Sequence, residues 1–241
     1  MIPRTTGKLL YAGDLHIRRK NLEEIVDDAM AMPVRPNAII QVGDFGLLWP
    51  KYTDKMDAYL HERAKNGYDI PIVTCGGNHD NWDLFYKLAG QTTDDLIELV
   101  PDSGVYYARR GSVIEIGGIS HGFMGGAMST NGHALTEGVD YWPNNEEPTQ
   151  AELRDFFDKV LDEKPDTIVT HEAPRSIHFD RRGRNSNKTV RMLDDMFWNW
   201  QGFGYKPKRW YFGHHHQLKK WKVGGTRFFG CGLHGEYWER V

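Results

Sequence analysis

The chain has 241 residues, a formal net charge of −3 and two cysteines. A nucleic-acid partner stays open but is not indicated by this charge, and no run approaches the roughly 20 apolar residues of a membrane span. We expect one domain over residues 1–241, because neither a linker nor a repeat interrupts the chain. Cys75 and Cys231 are expected to be buried thiols in a cytoplasmic protein, with a single disulfide as the alternative. The oligomeric state is not readable from composition.

The first ninety residues alternate between predicted strands and predicted helices. Apolar runs at residues 8–13, 38–42 and 70–75 predict three strands. Between them, an apolar stripe over residues 22–30 and a second over residues 54–64 predict amphipathic helices. This order implies a parallel sheet with helices packed on its faces.

The middle of the chain has a different pattern. Short strands are predicted at 105–108, 113–116 and 119–121, as in an antiparallel meander, and the Gly/Asn/Pro-rich segment 122–148 is expected to be a long ordered loop with a functional role. A capping box formed by Thr149 and Glu152 predicts a helix that runs to about residue 163. The remaining predictions are a strand at 167–170, a polar loop at 180–188, a helix around 192–200, and strands at 210–212, 218–223 and 227–229.

Five short polar clusters follow predicted strands. They are Asp14-Leu15-His16, Gly43-Asp44, Gly77-Asn78-His79-Asp80, His171-Glu172 and Gly213-His214-His215-His216. Because the carboxyl ends of parallel strands meet at one edge of a sheet, we expect the first three clusters, which follow the strands at 8–13, 38–42 and 70–75, to share one pocket. Taken singly, each has an ordinary explanation, such as a helix cap at Asp44 or a turn at Asn78. Five together at strand ends favour a site for two divalent metals, which is a device for attacking phosphate esters.

The spacing within two of the clusters suggests how the ligands are arranged. In an extended segment, Asp14 and His16 would share one face and could reach one ion. His214 and His216 would do the same at a strand end, with His215 pointing away. Oxygen and imidazole donors without a thiolate disfavour a structural zinc site and suit Mn²⁺, Fe, Zn²⁺ or Ni²⁺, of which we expect Mn²⁺.

The same residues form the signature D-x-H, G-D, G-N-H-[DE], H, G-H-x-H, so the chain resembles the calcineurin-like metallophosphoesterases from Asp14 to His216. Its GDFG and HEAP segments resemble compact bacterial and bacteriophage members. The resemblance implies an α/β fold, a four-layer sandwich of two mixed β-sheets flanked by helices. It also implies one metal bound by Asp14, His16 and His216, a second bound by Asn78, His171 and His214, and Asp44 as the bridge between them.

The function expected on this basis is hydrolysis of phosphodiesters or phosphomonoesters by a metal-bridging hydroxide. His79 is not needed as a ligand, and we assign it to protonating the leaving oxygen, with a structural turn histidine as the alternative. Asp80 is a candidate for orienting His79. Protein Ser/Thr phosphatases extend the second motif to G-D-x-x-D-R-G, whereas this chain has Leu47 and Leu48 at the Asp and Arg positions. That difference favours a small phosphate ester or nucleotide over a phosphoprotein.

Arginines near the clusters are candidates for binding phosphate, because a guanidinium matches phosphate oxygens. They are Arg18, Arg19, Arg175 and Arg182, and ordinary solvated loop arginines are the alternative for each. Two other functions are compatible with this fold: a nuclease, which the charge balance disfavours, and a non-catalytic scaffold. A scaffold should have lost ligands or the catalytic histidine, and this chain retains them.

Overall fold

The computed structural model describes residues 6–16, 18–46, 53–177 and 187–240. These residues form five α-helices, twelve β-strands and a short 3-10 helix at Gly132–Ala134. The helices are Arg19–Ala31 (α1), Thr53–Asn66 (α2), Trp82–Ala89 (α3), Gln150–Glu163 (α4) and Lys188–Gly202 (α5). The strands are Leu9–Ala12 (β1), Ala38–Gln41 (β2), Ile72–Thr74 (β3), Leu96–Glu98 (β4), Val105–Ala108 (β5), Ser112–Ile116 (β6), Ile119–Met124 (β7), Thr167–Thr170 (β8), Arg209–Phe212 (β9), Lys219–Val223 (β10), Thr226–Gly230 (β11) and Tyr237–Arg240 (β12).

The strands form two mixed sheets. The first has the order β12-β1-β2-β3-β5-β4, in which the four central strands are parallel and the two edge strands are antiparallel to their neighbours. The second has the order β10-β11-β9-β8-β7-β6 and the same arrangement of parallel centre and antiparallel edges. The predicted parallel βαβαβ start is therefore confirmed, as is the sandwich of two mixed sheets.

Side chains that alternate along the strands fill the space between the two sheets. Tyr11 of β1 and Tyr211 of β9 stack there with ring centroids 3.5 Å apart. On β1, Leu9 and Tyr11 belong to this inner layer, while Leu10 and Ala12 pack with α1 on the outer face. The second sheet packs its outer face against α4 and α5, as expected for buried parallel sheets covered by helices. Within the described residues no helix is both long and apolar enough to cross a bilayer.

Most predicted elements are confirmed, with shifted ends. α4 begins with the predicted capping box, because the Thr149 side chain accepts from Glu152 N and the Glu152 carboxylate accepts from Thr149 N. The expected loop 122–148 loses its first three residues to β7 and contains the 3-10 helix. Three elements, α3, β4 and β12, had not been predicted. Both cysteines are buried and free, so the thiol expectation is confirmed.

A buried arginine fastens the long loop to the first sheet. The Arg110 guanidinium donates to the carbonyls of Gly125, Asn145 and Glu146 at 3.0, 2.9 and 2.6 Å. It also lies 3.3 Å from the ring centre of Trp82. One side chain thus fixes both ends of the loop against α3.

We expect Arg110→Met to destabilise the fold strongly. Leaving a buried acceptor without a partner costs about 1–3 kcal/mol, and several carbonyls lose this donor together, so a loss of about 3 kcal/mol or more is expected. Urea unfolding of the metal-free protein measures it. Arg154→Met, on the exposed face of α4, is the matched control and should change little. Equal stability of the two variants would show that the loop is held by other contacts.

Candidate metal centre

Strands from both sheets deliver polar side chains to one edge of the sandwich. Asp14, Asp44 and Asn78 follow β1, β2 and β3 of the first sheet, while His171 and His214 follow β8 and β9 of the second. All five strands lie in the parallel parts of their sheets, so their carboxyl ends meet at this edge. The first three clusters therefore end at one edge as expected, and the strands of the second sheet bring His171 and His214 to the same edge.

The first group of donors consists of Asp14, His16 and His216. One ligand atom from each lies within 4.8 Å of the others. His216 Nε2 is 3.1 Å from Asp14 Oδ2 and 3.2 Å from His16 Nε2. Asp14 is fully buried, which makes its carboxylate the inner wall of this group.

The second group consists of Asp44, His171 and His214, again with ligand atoms within 4.8 Å of one another. His171 Nε2 is 3.4 Å from Asp44 Oδ1 and 2.9 Å from Asn78 Oδ1, so the Asn78 amide belongs to the same cluster. The other oxygen of Asp44 lies 3.7 Å from His16 Nε2 of the first group. One buried carboxylate therefore stands between the two groups.

Neighbouring atoms fix the orientation of the imidazoles. His171 Nδ1 is 2.8 Å from the Val42 carbonyl oxygen. A carbonyl can only accept, so Nδ1 carries the hydrogen and Nε2 faces the cluster. The buried Glu172 carboxylate lies 2.7 Å from His215 Nε2 and 3.7 Å from His214 Nε2. Such carboxylates behind an imidazole orient it and raise its basicity as a ligand.

The backbone at the site is mostly left-handed, not extended. His16, Asp44, His214 and His216 have φ values of 44°, 53°, 62° and 51°. The prediction that His214 and His216 share one face of an extended strand end is wrong, since the two imidazoles enter different groups. The same backbone region replaces the extended segment expected for Asp14 and His16, although those two side chains do meet. Non-glycine residues in this region are uncommon and cluster at functional sites.

Two glycines of the motifs are required by close approach. A Cβ at Gly77 would lie 2.2 Å from Asp44 Oδ1, and one at Gly213 would lie 2.3 Å from Asp14 Oδ1. Any other residue at either position would displace a carboxylate of the site.

The comparisons with known proteins agree with this geometry. The family model described as calcineurin-like phosphoesterase matches residues 7–218. The chain belongs to this family. No curated protein matches it significantly.

Among solved structures, one superposes on this phosphoesterase with a TM-score of 0.57 at 13% identity, covering 94% of this chain and 90% of the other. That superposition supports the fold. A phosphopantetheinyl hydrolase from Mycobacterium tuberculosis matches with a TM-score of 0.49 at 14% identity, over 96% of this chain and 91% of that one. A sulfate thiohydrolase from Thermus thermophilus, in complex with glycerol, matches with a TM-score of 0.45 at 11% identity over 99% of this chain. The present chain covers 54% of the length of that thiohydrolase.

Burial and charge set the protonation of the cluster. Burial lowers the pKa of His214 to about 4 and also lowers that of His16, so both imidazoles are neutral near pH 7, the form that binds metal. Burial opposes ionisation of Asp44, yet His171, His79 and His16 together hold its pKa below the usual range. Burial would lower the pKa of His171 as well, but the Asp44 charge raises it to about 10. A divalent cation would take the place of that proton.

His79 and Asp80 occupy different surroundings. The backbone N–H of His79 donates to Asp44 Oδ1 at 2.8 Å. The ring Nδ1 of His79 lies 3.2 Å from the Asp140 carbonyl oxygen. The Asp80 carboxylate accepts from the backbone N–H groups of Phe45, Gly46 and Gly77, at 3.2, 2.7 and 2.7 Å. Burial, with the Asp44 charge, raises the pKa of Asp80 to about 6. These bonds join two metal-site loops, whereas the expectation was that Asp80 orients His79.

The candidate phosphate-binding arginines separate in the structure. Arg19 donates to Glu23 and Glu62 at 2.6 and 3.0 Å, so two carboxylates compete with phosphate for its guanidinium. Arg18 precedes the first residue of α1. Arg175 is exposed just beyond His171-Glu172. Arg182 lies outside the described residues, as do Leu47 and Leu48.

Sequence patterns missed a buried support at the end of β2. Gln41 Nε2 donates to the carbonyls of Gly13 and Gly43, and its Oε1 accepts from Gly43 N and from the Thr74 hydroxyl. It thereby links the loops that carry Asp14 and Asp44. The one available sign of this support in the sequence is a single glutamine in an apolar strand. A buried amide needs hydrogen-bond partners for both its oxygen and its nitrogen.

Proposed function

We propose that this phosphoesterase is a dinuclear metal-dependent hydrolase of phosphodiesters or small phosphomonoesters. The observation that carries the proposal is the position of Asp44, whose two oxygens lie 3.4 Å from His171 of one group and 3.7 Å from His16 of the other. A carboxylate in that place can serve two ions at once. Asp14, His16 and His216 would hold one ion, and Asn78, His171 and His214 the other.

The donors fit divalent cations. Asp14 and Asp44 are buried at the same edge, and each is surrounded by imidazoles and amides, with no thiolate in either group. Uncompensated buried carboxylates are costly, so a cation supplies what this arrangement needs. When bound, two such ions lower the pKa of water and neutralise phosphoryl oxygens. Mn²⁺ is the ion we propose, because oxygen and imidazole donors suit it.

The protein residues have separate tasks in this proposal. His79, whose Nδ1 is engaged by the Asp140 carbonyl, would carry the transferable proton on Nε2 and give it to the leaving oxygen. Its N–H bond to Asp44 places the ring beside the centre of the site. Asp80 would hold the loops that carry Asp44 and Asn78, which positions both relative to His79. Arg175 and Arg182 would contact the phosphate or the ester group.

The substrate class can be tested with one panel. With Leu47 and Leu48 in place of the protein-phosphatase Asp and Arg, we expect diesters and small esters to be preferred. Protein reconstituted with Mn²⁺ should be assayed on p-nitrophenyl phosphate, bis-p-nitrophenyl phosphate, cyclic nucleotides, single-stranded nucleic acid and a phosphoserine peptide. Efficient turnover of the peptide alone would overturn the proposal, and preferred turnover of nucleic acid would identify a nuclease.

We expect Arg175→Ala combined with Arg182→Ala to raise KM for the preferred ester more than it lowers kcat. Binding contacts of this kind act about equally on bound substrate and transition state. Steady-state kinetics with the best substrate of the panel measure the two parameters. Arg154→Ala, another exposed arginine, is the control. An unchanged KM in the double variant would exclude these arginines from substrate binding.

A further inference from the structure

A hydrogen-bonded chain leads from the long loop to the Asn78 amide. Asn78 Nδ2 donates to the Ser129 hydroxyl oxygen at 2.9 Å. Ser129 in turn donates twice to the Glu146 carboxylate, from its hydroxyl to Oε2 at 2.6 Å and from its backbone N–H to Oε1 at 2.9 Å. Asn78 and Glu146 are 1% and 3% exposed, so both ends of this series of hydrogen bonds are shielded from water.

The carboxylate decides the direction of these bonds. A serine hydroxyl has one hydrogen, and Glu146 takes it, so towards Asn78 the hydroxyl oxygen can only accept. The partner it accepts from must be the NH₂ end of the Asn78 amide. An asparagine side chain has nearly the same shape when flipped, and its neighbours select one orientation. Here they turn Oδ1 away from Ser129 and towards His171 Nε2, 2.9 Å away.

Glu146 is itself firmly placed. Its backbone N–H donates to the Trp142 carbonyl at 2.8 Å, and its own carbonyl accepts from Arg110 at 2.6 Å. Arg110 rests on Trp82, the first residue of α3, which directly follows the Asn78 cluster. The loop segment with Glu146 and the turn with Asn78 are thus fixed to the same support.

We propose that Ser129 and Glu146 are positioning residues that hold the Asn78 amide with its oxygen towards the second group of donors, Asp44, His171 and His214. They would thereby set the affinity of this group for its metal ion. The inference rests on the proposed two-metal function and deepens it. It gives the 122–148 loop a task in assembling the metal centre. Neither residue touches the substrate in this proposal, so both act through Asn78.

Four variants test the proposal. Ser129→Ala removes the acceptor, while Ser129→Thr keeps the hydroxyl. Glu146→Gln places an NH₂ group where the carboxylate now accepts two donors, so either the bond from the Ser129 N–H is lost or the bond with the Ser129 hydroxyl reverses its direction. Glu147→Gln is the matched control, since Glu147 adjoins Glu146 but accepts from the Thr189 hydroxyl instead. Mn²⁺ binding is measured by calorimetry and by metal content after dialysis against limiting Mn²⁺.

We expect Ser129→Ala and Glu146→Gln to lose about 10- to 100-fold in affinity at one site, the range for supports behind a metal ligand. The other site, with Asp14, His16 and His216, should bind as in the wild type. Ser129→Thr and Glu147→Gln should bind two ions normally. A purely structural role would instead weaken both sites equally and lower the Tm of the metal-free protein.

Equal weakening of both sites with a lower Tm, or unchanged binding in Ser129→Ala, would overturn the inference while leaving the two-metal function intact. A wild-type protein that binds fewer than two ions would overturn the proposed function, and the positioning role with it. The two failures are therefore distinguishable in one set of titrations.

Discussion

Asp44→Asn should abolish hydrolysis and weaken metal binding in both groups, while the fold stays intact. The substitution keeps the size of the side chain and an oxygen that can accept from His79 N–H, now 2.8 Å away. It removes the negative charge that faces His171 and His16. Asp44 is only 1% exposed, so water cannot replace that charge. An amide oxygen cannot serve two cations as a carboxylate does, so both ions lose their common ligand.

Metal analysis and the far-ultraviolet circular dichroism spectrum of the purified variant measure the two halves of this expectation. Asp102→Asn is the matched control, because Asp102 is an exposed aspartate with a positive φ of 65°, close to the 53° of Asp44. It should hydrolyse esters and bind metal as the wild type does. Two bound ions and an unchanged rate in Asp44→Asn would show that Asp44 is not the bridge.

His79→Ala should keep both metals and lose rate, by about 10²- to 10⁴-fold if His79 is the general acid. The imidazole belongs to neither metal group, so its removal leaves those donors in place. The loss should be smaller for p-nitrophenyl esters than for alkyl esters, because p-nitrophenolate leaves without being protonated. Rates on a matched pair of such esters, with metal content determined in parallel, test the assignment.

His133→Ala is the control for this variant, since His133 is an exposed histidine of the 3-10 helix in the same long loop. Its rates should match those of the wild type on both esters. An equal loss for good and poor leaving groups in His79→Ala would instead assign His79 to holding the phosphate. Loss of a metal ion from that variant would make it a ligand.

The sequence contained enough information to predict the location of the site. The strands before Asp14, Asp44 and Asn78 are short apolar runs separated by helical patterns, and that order forces parallel pairing and a shared edge. His171 and His214 are assigned to the same site through the family resemblance, because the strand order of the first ninety residues does not extend to the second sheet. Buried strands and their ends are local patterns, so they can be predicted without knowledge of the packing.

The finer geometry depends on contacts between distant parts of the chain. His16 has a positive φ of 44°, where the spacing of Asp14 and His16 predicts an extended segment. Ser129 lies 51 residues from Asn78 and Glu146 lies 17 residues further on, inside a segment with no periodicity. No spacing rule connects such residues, so only the folded chain reveals the support behind Asn78.

Missed secondary structure has a similar cause. β4 has three residues and β12 pairs with β1 from the far end of the chain, so neither forms a long local pattern. α3 has only eight residues and starts directly after the Asn78 cluster, so its apolar pattern spans little more than two turns. The ring of its first residue, Trp82, nevertheless packs against the Arg110 guanidinium. Arg110 in turn binds carbonyls of the long loop.

Titration of the chelator-treated protein with Mn²⁺, followed by hydrolysis of bis-p-nitrophenyl phosphate, tests the two-metal account most directly. The account predicts no hydrolysis without metal, a rise as Mn²⁺ is added, and a plateau at two equivalents per chain. Hydrolysis that persists in the metal-free protein, or a plateau at a single equivalent, would contradict it.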